Sequence, residues 1–120
     1  MKELRLTEAE NKLAEIIWTK APIPSPELVE LCRVEIGWKK STTYTMLRKL
    51  EKKGVFENRN GTVLAVLTRE EFYTEQGRQI LDGGFEGSLP RFLAAFASNK
   101  KLSSKEIDEL QKLIDSHKEE

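Results

Sequence analysis

The dipeptide Asn60-Gly61 is the strongest local constraint in the chain. Asn-Gly closes a tight two-residue hairpin, because both central positions of such a turn need positive φ. Here it ends the run Asn58-Arg59-Asn60-Gly61, between Val55-Phe56-Glu57 and Val63-Leu64-Ala65-Val66-Leu67, two short segments of strand composition. A two-stranded antiparallel ribbon follows. Such a ribbon is marginal on its own in water. The sequence on both sides of it has helical periodicity.

Three helices are expected before it. Thr7 and Glu10 form a T-x-x-E capping box, which starts a helix at Glu8. Ala9, Leu13, Ile16, Ile17 and Lys20 recur at helical spacing until Ala21-Pro22-Ile23-Pro24 stops the helix. Trp18 falls off that apolar face, either as a second contact surface or as a half-buried ring packed on another element. Ser25, Pro26 and Glu27 read as an N-cap, a proline at the first helical position and a first-turn carboxylate. They open a short helix with Leu28, Leu31, Cys32 and Ile36, ended by Gly37. Ser41 or Thr42 caps a third helix, with core stripe Thr43, Met46, Leu47 and Leu50, that runs to about Lys53 and is closed by Gly54.

Three helices and then a hairpin with a basic tip is the element order of a winged helix-turn-helix, so the expected fold class is mainly α with a two-stranded β-wing. Beyond Thr68 the pattern turns helical again. Helices are expected at about 69–82 with Phe72, Ile80 and Leu81, and at about 89–98 with Leu89, Phe92, Leu93 and Phe96. A last one starts at Ser103, whose box partner is Glu106, and continues through Ile107, Leu110, Leu113 and Ile114. The reading divides the chain into a winged-helix domain, 1–68, and a C-terminal helical domain, 69–120.

Charge separates the halves too. Net charge over the whole chain is zero, but residues 1–68 carry 12 basic and 9 acidic groups, and residues 69–120 carry 8 and 11. Residues 39–59 alone hold seven basic and two acidic groups. On a helical wheel Ser41, Thr45, Arg48 and Lys52 lie opposite the core stripe, flanked by Thr42, Tyr44 and Lys49. Lys39 and Lys40 lead into that face, Arg59 and Asn60 sit on the hairpin, and all four are candidate DNA contacts, Arg59 as a phosphate anchor on the wing. Hydroxyls can donate to phosphates or base edges, and a threonine methyl can touch a thymine methyl. Arg and Lys further along neutralise phosphates. Tyr44 fits a packing ring equally well, and Trp38 reads as a core plug at the turn before the third helix.

Little else in the chain carries chemistry. The only histidine is His117, no glycine-rich phosphate loop follows a strand, and no nucleophile has a base placed by its context. No enzyme activity and no cofactor are expected. Cys32 is the single cysteine, which excludes an internal disulfide or a cysteine-built zinc cluster, so no metal site is expected and the thiol reads as buried and structural. The segment MKELRLTEAENK lacks the apolar core of a signal peptide, and no run approaches the length that spans a bilayer. A cytoplasmic location is the expectation.

At this point the residues resemble a known family. Leu6-Thr-Glu-Ala-Glu, Ile17-Trp18, Gly37-Trp38, Ser41-Thr-Thr-Tyr-Thr-Met-Leu-Arg-Lys-Leu and Lys52-Lys53-Gly54-Val55 are similar to the penicillinase repressors, which include the β-lactamase, methicillin-resistance and copper-operon repressors. In the second half Arg69-Glu-Glu-Phe, Gly87-Ser88-Leu89 and Leu102-Ser-Ser-Lys-Glu-Ile-Asp-Glu-Leu look like that family's dimerisation region. The resemblance implies a dimeric repressor on a short inverted-repeat operator, with Ser41, Thr42, Tyr44, Thr45 and Lys49 facing DNA. Three positions depart from the pattern. Thr43 stands where the family usually has Val or Ile on the core face, and Asp115-Ser-His-Lys-Glu-Glu replaces the C-terminal cysteine cluster of the copper sensors, so copper sensing by that route is not expected. The Asn-Phe bond at which antibiotic-responsive members are cleaved reads Ala95-Phe96 here.

The resulting expectation is a repressor that reads DNA with helix 41–53 and dimerises through Phe72, Ile80, Leu81, Leu89, Phe92, Leu93, Phe96, Ile107, Leu110 and Ile114. Loss of the dimer relieves repression, with Ala95-Phe96 the candidate cleavage point and a membrane sensor-protease system the candidate partner. Two other readings stay open: a winged-helix module that binds protein, and a DNA-binding regulator with a small-molecule sensor pocket in its C-terminal half.

Overall fold

The computed structural model describes residues 4–118. The elements run α1 (Glu8–Lys20), β1 (Ile23–Pro24), α2 (Ser25–Ile36), α3 (Lys40–Lys52), β2 (Phe56–Arg59), β3 (Thr62–Ala65), α4 (Arg69–Gly84), α5 (Leu89–Asn99) and α6 (Ser104–Lys118). They divide into two compact units, with the division between Arg78 and Gln79.

In the first unit the capping box and the hairpin turn act as read. Thr7 Oγ1 accepts from the Glu10 amide at 3.1 Å, and the Glu10 carboxylate accepts from the Thr7 amide at 2.8 Å. The hairpin turns at Asn60 and Gly61, with φ of 51° and 87°. Strand alternation then points Phe56 and Val63 inward. The sheet has three strands rather than two, in the order β1-β3-β2, because Ile23 pairs with Val63 and Pro24 with Thr62. The segment that stops α1 thus also supplies a short strand, in which Pro24 is tolerated because β1 lies at the sheet's edge.

The core is built from all of these elements. Leu13, Ala14 and Ile17 of α1, Leu28 and Cys32 of α2, Leu47 and Leu50 of α3, Val55, Phe56 and Val63 are closed from solvent. Phe72 of α4 joins them. Trp18 explains why. Its ring lies 5.3 Å from Phe56 and 5.4 Å from Phe72, and its Nε1 donates to the Leu67 carbonyl at 3.0 Å. It is a half-buried ring that draws the start of α4 onto α1. Arg69 Nε bonds both Glu15 carboxylate oxygens at 3.0 Å, Tyr73 donates to Asn11 Oδ1 at 3.2 Å, and Gln76 Nε2 donates to the Leu4 carbonyl at 3.1 Å. Placing Phe72 among the dimerisation residues therefore needs correcting: its ring is 0% exposed and has no surface left for a partner.

The second unit comprises residues 79–84 of α4, together with α5 and α6. Gly83 and Gly84 extend α4 past its expected end near residue 82, and Gly87, at φ 72°, makes the turn into α5. Ser88 caps α5 through the Arg91 amide, and Ser103 caps α6 through the Glu106 amide, both at 3.1 Å. Phe85 meets Phe92 edge-on at 5.3 Å, and Phe92 stacks on Phe96 at 6.0 Å. Neither α5 nor α6 buries a single residue.

Candidate nucleic-acid interface

Gly37 ends α2 in the left-handed region, and the Trp38 amide donates back to the Cys32 carbonyl at 3.2 Å. Trp38 is half-buried against the core, as a plug at this turn. The link is so short that α3 begins at Lys40 with Lys39 as its extended cap residue, two positions ahead of Ser41, the earlier of the two expected caps. No side chain caps this end of α3, so Ser41 and Thr42 have their hydroxyls free of a capping role.

The wheel predicted for α3 holds. Thr43, Leu47 and Leu50 are buried, Met46 is half-buried, and Lys39, Lys40, Ser41, Thr42, Thr45, Arg48, Lys49 and Lys52 are all exposed. Among the described residues no carboxylate pairs with Lys39, Lys40, Arg48, Lys49 or Lys52. Tyr44 is half-buried at the margin of this face, and its hydroxyl donates to Ser25 Oγ at 3.1 Å, which ties α3 to the start of α2.

Two cations counted in the basic segment behave differently. Lys53 turns away and donates to Glu10 Oε1 at 2.8 Å and to the Arg5 carbonyl at 2.6 Å. Burial pulls the Glu10 carboxyl upward, but the Lys53 hydrogen bond and charge and the Thr7 bonds outweigh it and hold the group below its ordinary value. Glu10 thus caps α1 and anchors the end of α3 together. On the wing, Arg59 Nη2 donates to Glu57 Oε2 at 2.9 Å. The Lys53 partner lies 43 residues away and left no sequence signal, whereas Glu57 stands two residues before Arg59 in a strand, and alternation alone places them on one face.

The wing is tied down at three points. Asn58 Oδ1 accepts from the Gly61 amide at 3.1 Å, the Asn58 amide donates to Glu51 Oε2 at 3.2 Å, and the Ser25 amide donates to the Gly61 carbonyl at 2.8 Å. This last bond corrects the expected role of Ser25. Its amide serves the wing tip and its hydroxyl serves Tyr44, so Pro24 becomes the cap residue and no side chain caps α2. Ser25, Glu51, Lys53 and Glu57 are the positioning residues that sequence reasoning missed. Arg59 and Asn60 are exposed at the tip.

Beneath the exposed face, Thr43 is 1% exposed, and its hydroxyl has no nitrogen or oxygen partner and lies against the Cys32 thiol. Burial pushes that thiol up, with the Thr43 hydroxyl partly offsetting it and the Glu35 charge adding to it. Cys32 is a buried free thiol.

In the second unit Leu81, Phe92, Leu93 and Leu110 are half-buried, while Ile80, Leu89, Phe96, Ile107, Leu113 and Ile114 are exposed. Ala95 and Phe96 are adjacent and exposed within α5. An apolar recess of about 370 Å³ lies between Phe85, Phe92, Ala95, Phe96, Asn99 and Lys100. Among the described residues no three His, Cys, Asp or Glu side chains gather as a metal site, and no helix is long and apolar enough to cross a membrane.

Comparison with known proteins finds matches along nearly the whole chain. A family model described as penicillinase repressor matches residues 6–116. The penicillinase repressor of Bacillus licheniformis is 26% identical over 118 residues, covering 95% of this chain and 92% of that protein. The methicillin resistance regulatory protein MecI of Mammaliicoccus sciuri and that of Staphylococcus aureus (strain N315) are each 20% identical over 117 residues, covering 94% of this chain and 95% of theirs.

Proposed function

This chain belongs to the penicillinase repressor family, and from that premise we propose that it is a homodimeric transcriptional repressor that reads an inverted-repeat operator with α3. The observation that carries the reading is the outer face of α3, where hydroxyls and five cations without carboxylate partners share one exposed surface. Ser41, Thr42 and Thr45 at its N-terminal half address base edges. Arg48, Lys49 and Lys52 further along, with Lys39 and Lys40 at the start, neutralise phosphates. Tyr44 borders the face and is held by Ser25, so it also fixes the angle at which α3 is presented.

The second unit supports dimerisation. About half the surface of Ile80, Leu89, Ile107, Leu113 and Ile114 is open on short helices that bury nothing by themselves, and a two-fold partner supplies the missing burial. The apolar recess beside Phe92 and Phe96 suits a side chain of that partner. Two copies of α3, each about 20 Å long, then address half-sites spaced by about one helical turn of DNA. Because electrostatic affinity grows with the number of phosphate contacts, losing the dimer releases the operator. Cleavage at Ala95-Phe96 by a membrane-sensor protease system is one route, and it requires the end of α5 to unwind first, since the bond lies inside the helix. A cytoplasmic site of action is part of the same proposal.

The test is binding to a site selected from random duplex DNA. Thr45→Ala lowers specific binding more than non-specific binding, whereas Lys52→Ala weakens both and flattens the salt dependence by about one unit of slope. An unchanged specificity ratio for Thr45→Ala would remove α3 as the reader. Light scattering at micromolar concentration should show a dimer; a 13.8 kDa particle would overturn the dimeric reading.

A further inference from the structure

Arg59 is unlike the other cations of the DNA-facing surface. Lys39, Lys40, Arg48, Lys49 and Lys52 have no acidic partner among the described residues, which is what phosphate anchoring asks for. Arg59 is held by Glu57, Nη2 to Oε2 at 2.9 Å and Nε to Oε1 at 3.5 Å. The pair is locally neutral, and it would bring a carboxylate up to any phosphate that Arg59 touched. It is therefore a poor anchor for the backbone.

The same pair is well suited to something else. A guanidinium has five N–H donors in a planar fork. With the Nε and Nη2 edge facing Glu57, the Nη1 end keeps its donors, in a direction that the carboxylate sets. The platform beneath is stiff. Asn58 is bonded to Gly61 and Glu51, and the Gly61 carbonyl to Ser25, so β2 and the turn are fixed to both α2 and α3. Glu57 and Arg59 share a strand face with Leu64 and Thr62, opposite the face that buries Phe56 and Val63. The wing follows the C-terminal end of α3 and is tied to it at Glu51, so with α3 in the major groove the wing flanks that groove instead of sharing it. The neighbouring groove is the minor one. Its floor offers only acceptors at A·T pairs, which match the donors left on Nη1.

We propose that Arg59 reads A·T pairs in the minor groove beside the half-site, and that Glu57 is the positioning residue that aims it. This rests on the DNA-binding reading above and adds a second point of sequence recognition, outside α3. The experiment uses the full-length protein and a duplex enriched from a random library, followed by pair-by-pair replacement of A·T flanking each half-site with G·C or with inosine·cytosine. Inosine·cytosine shows the minor-groove face of A·T and the major-groove face of G·C, because it lacks the guanine amino group. The wild type is expected to lose at least about fivefold in affinity with G·C at one flanking position and to keep full affinity with inosine·cytosine there. Glu57→Gln, which keeps shape and removes charge, and Arg59→Lys, which keeps charge and removes the fork, should abolish that discrimination. Melting temperature and the core-site preference of each variant should stay those of the wild type.

The inference is overturned if G·C is accepted at every flanking position, if inosine·cytosine behaves as G·C, or if either variant still discriminates. Each of those results leaves DNA binding by α3 intact. If instead the library yields no enriched site and no salt-dependent binding, the DNA-binding reading itself fails, and this inference with it.

Discussion

Thirteen apolar side chains of the first unit, from Leu4 to Phe72, are closed from solvent, whereas in the second unit α5 and α6 close off none and leave Leu89, Phe96, Ile107, Leu113 and Ile114 about half open. The sequence composition of the two regions does not foreshadow this. Both carry apolar residues at helical spacing, and α5 has a denser apolar stripe than α1. What differs is the supply of partners. The first unit surrounds α1 with α2, α3, a sheet and the start of α4, while the second has two and a half short helices, near the size at which a lone core is marginal. One region closes its own core, and the other leaves its apolar side chains open.

The contrast breaks most directly at Phe72. Phe72→Ala empties a fully buried site between Trp18 and the core and should cost about 3–4 kcal/mol of unfolding free energy, read by urea denaturation. Phe96→Ala, on the open unit, should leave the unfolding of the first unit unchanged and weaken self-association instead. Equal losses for the two would mean that the units are not distinct in kind. The boundary itself is testable in the same terms. A fragment of residues 1–78 retains Phe72, Tyr73 and Gln76 and should fold, whereas 1–68 lacks them and should be markedly less stable. On an operator at physiological salt, the 1–78 fragment should bind at least about 10²-fold more weakly than the full chain, having half the phosphate contacts. Matched affinities would show that the second unit does not control binding.

Smaller effects sharpen the picture within the first unit. Glu10 is 3% exposed and its carboxyl is held below the ordinary value by Lys53 and Thr7, so its contribution is present at neutral pH and lost as pH falls from about 4.5 through the lowered value. Glu10→Gln should cost about 2 kcal/mol at pH 7 and flatten the acid limb of the stability curve. A variant with the wild-type acid limb would rule out the Lys53 pair as the reason. Thr43→Val should be the mildest change and of the opposite sign. It removes a buried hydroxyl without an oxygen or nitrogen partner and keeps the shape, for a gain of about 1 kcal/mol in thermal unfolding.

The elements with local causes were legible from residues alone. The capping box at Thr7 and Glu10, the Asn60-Gly61 turn, the αL glycine after α2, the Ser103 box and the two faces of α3 all arise between residues a few positions apart, where chain geometry leaves few alternatives. Charge alternation would have shown Glu57 beside Arg59 as well, had the strand been read for its outer face. Where two weak local rules competed, the tertiary environment chose. Ser25 had the chemistry of a helix cap, but the wing tip and Tyr44 claimed its amide and hydroxyl, and Ile23-Pro24 became an edge strand by pairing with Val63 and Thr62 of β3.

By itself the sequence determined the order of helices and hairpin, the apolar side of each helix and the hydroxyl-and-cation face of α3, since each follows from spacing along the chain. Only the tertiary structure decided that Lys53 turns to Glu10 across 43 residues, that Trp18 reaches Leu67 across 49, and that Phe72 belongs to the first core rather than to the open helices. Those outcomes depend on which surfaces come together and exclude water, a quantity summed over residues far apart in sequence. Helical periodicity says that a face is apolar, and packing alone says what covers it.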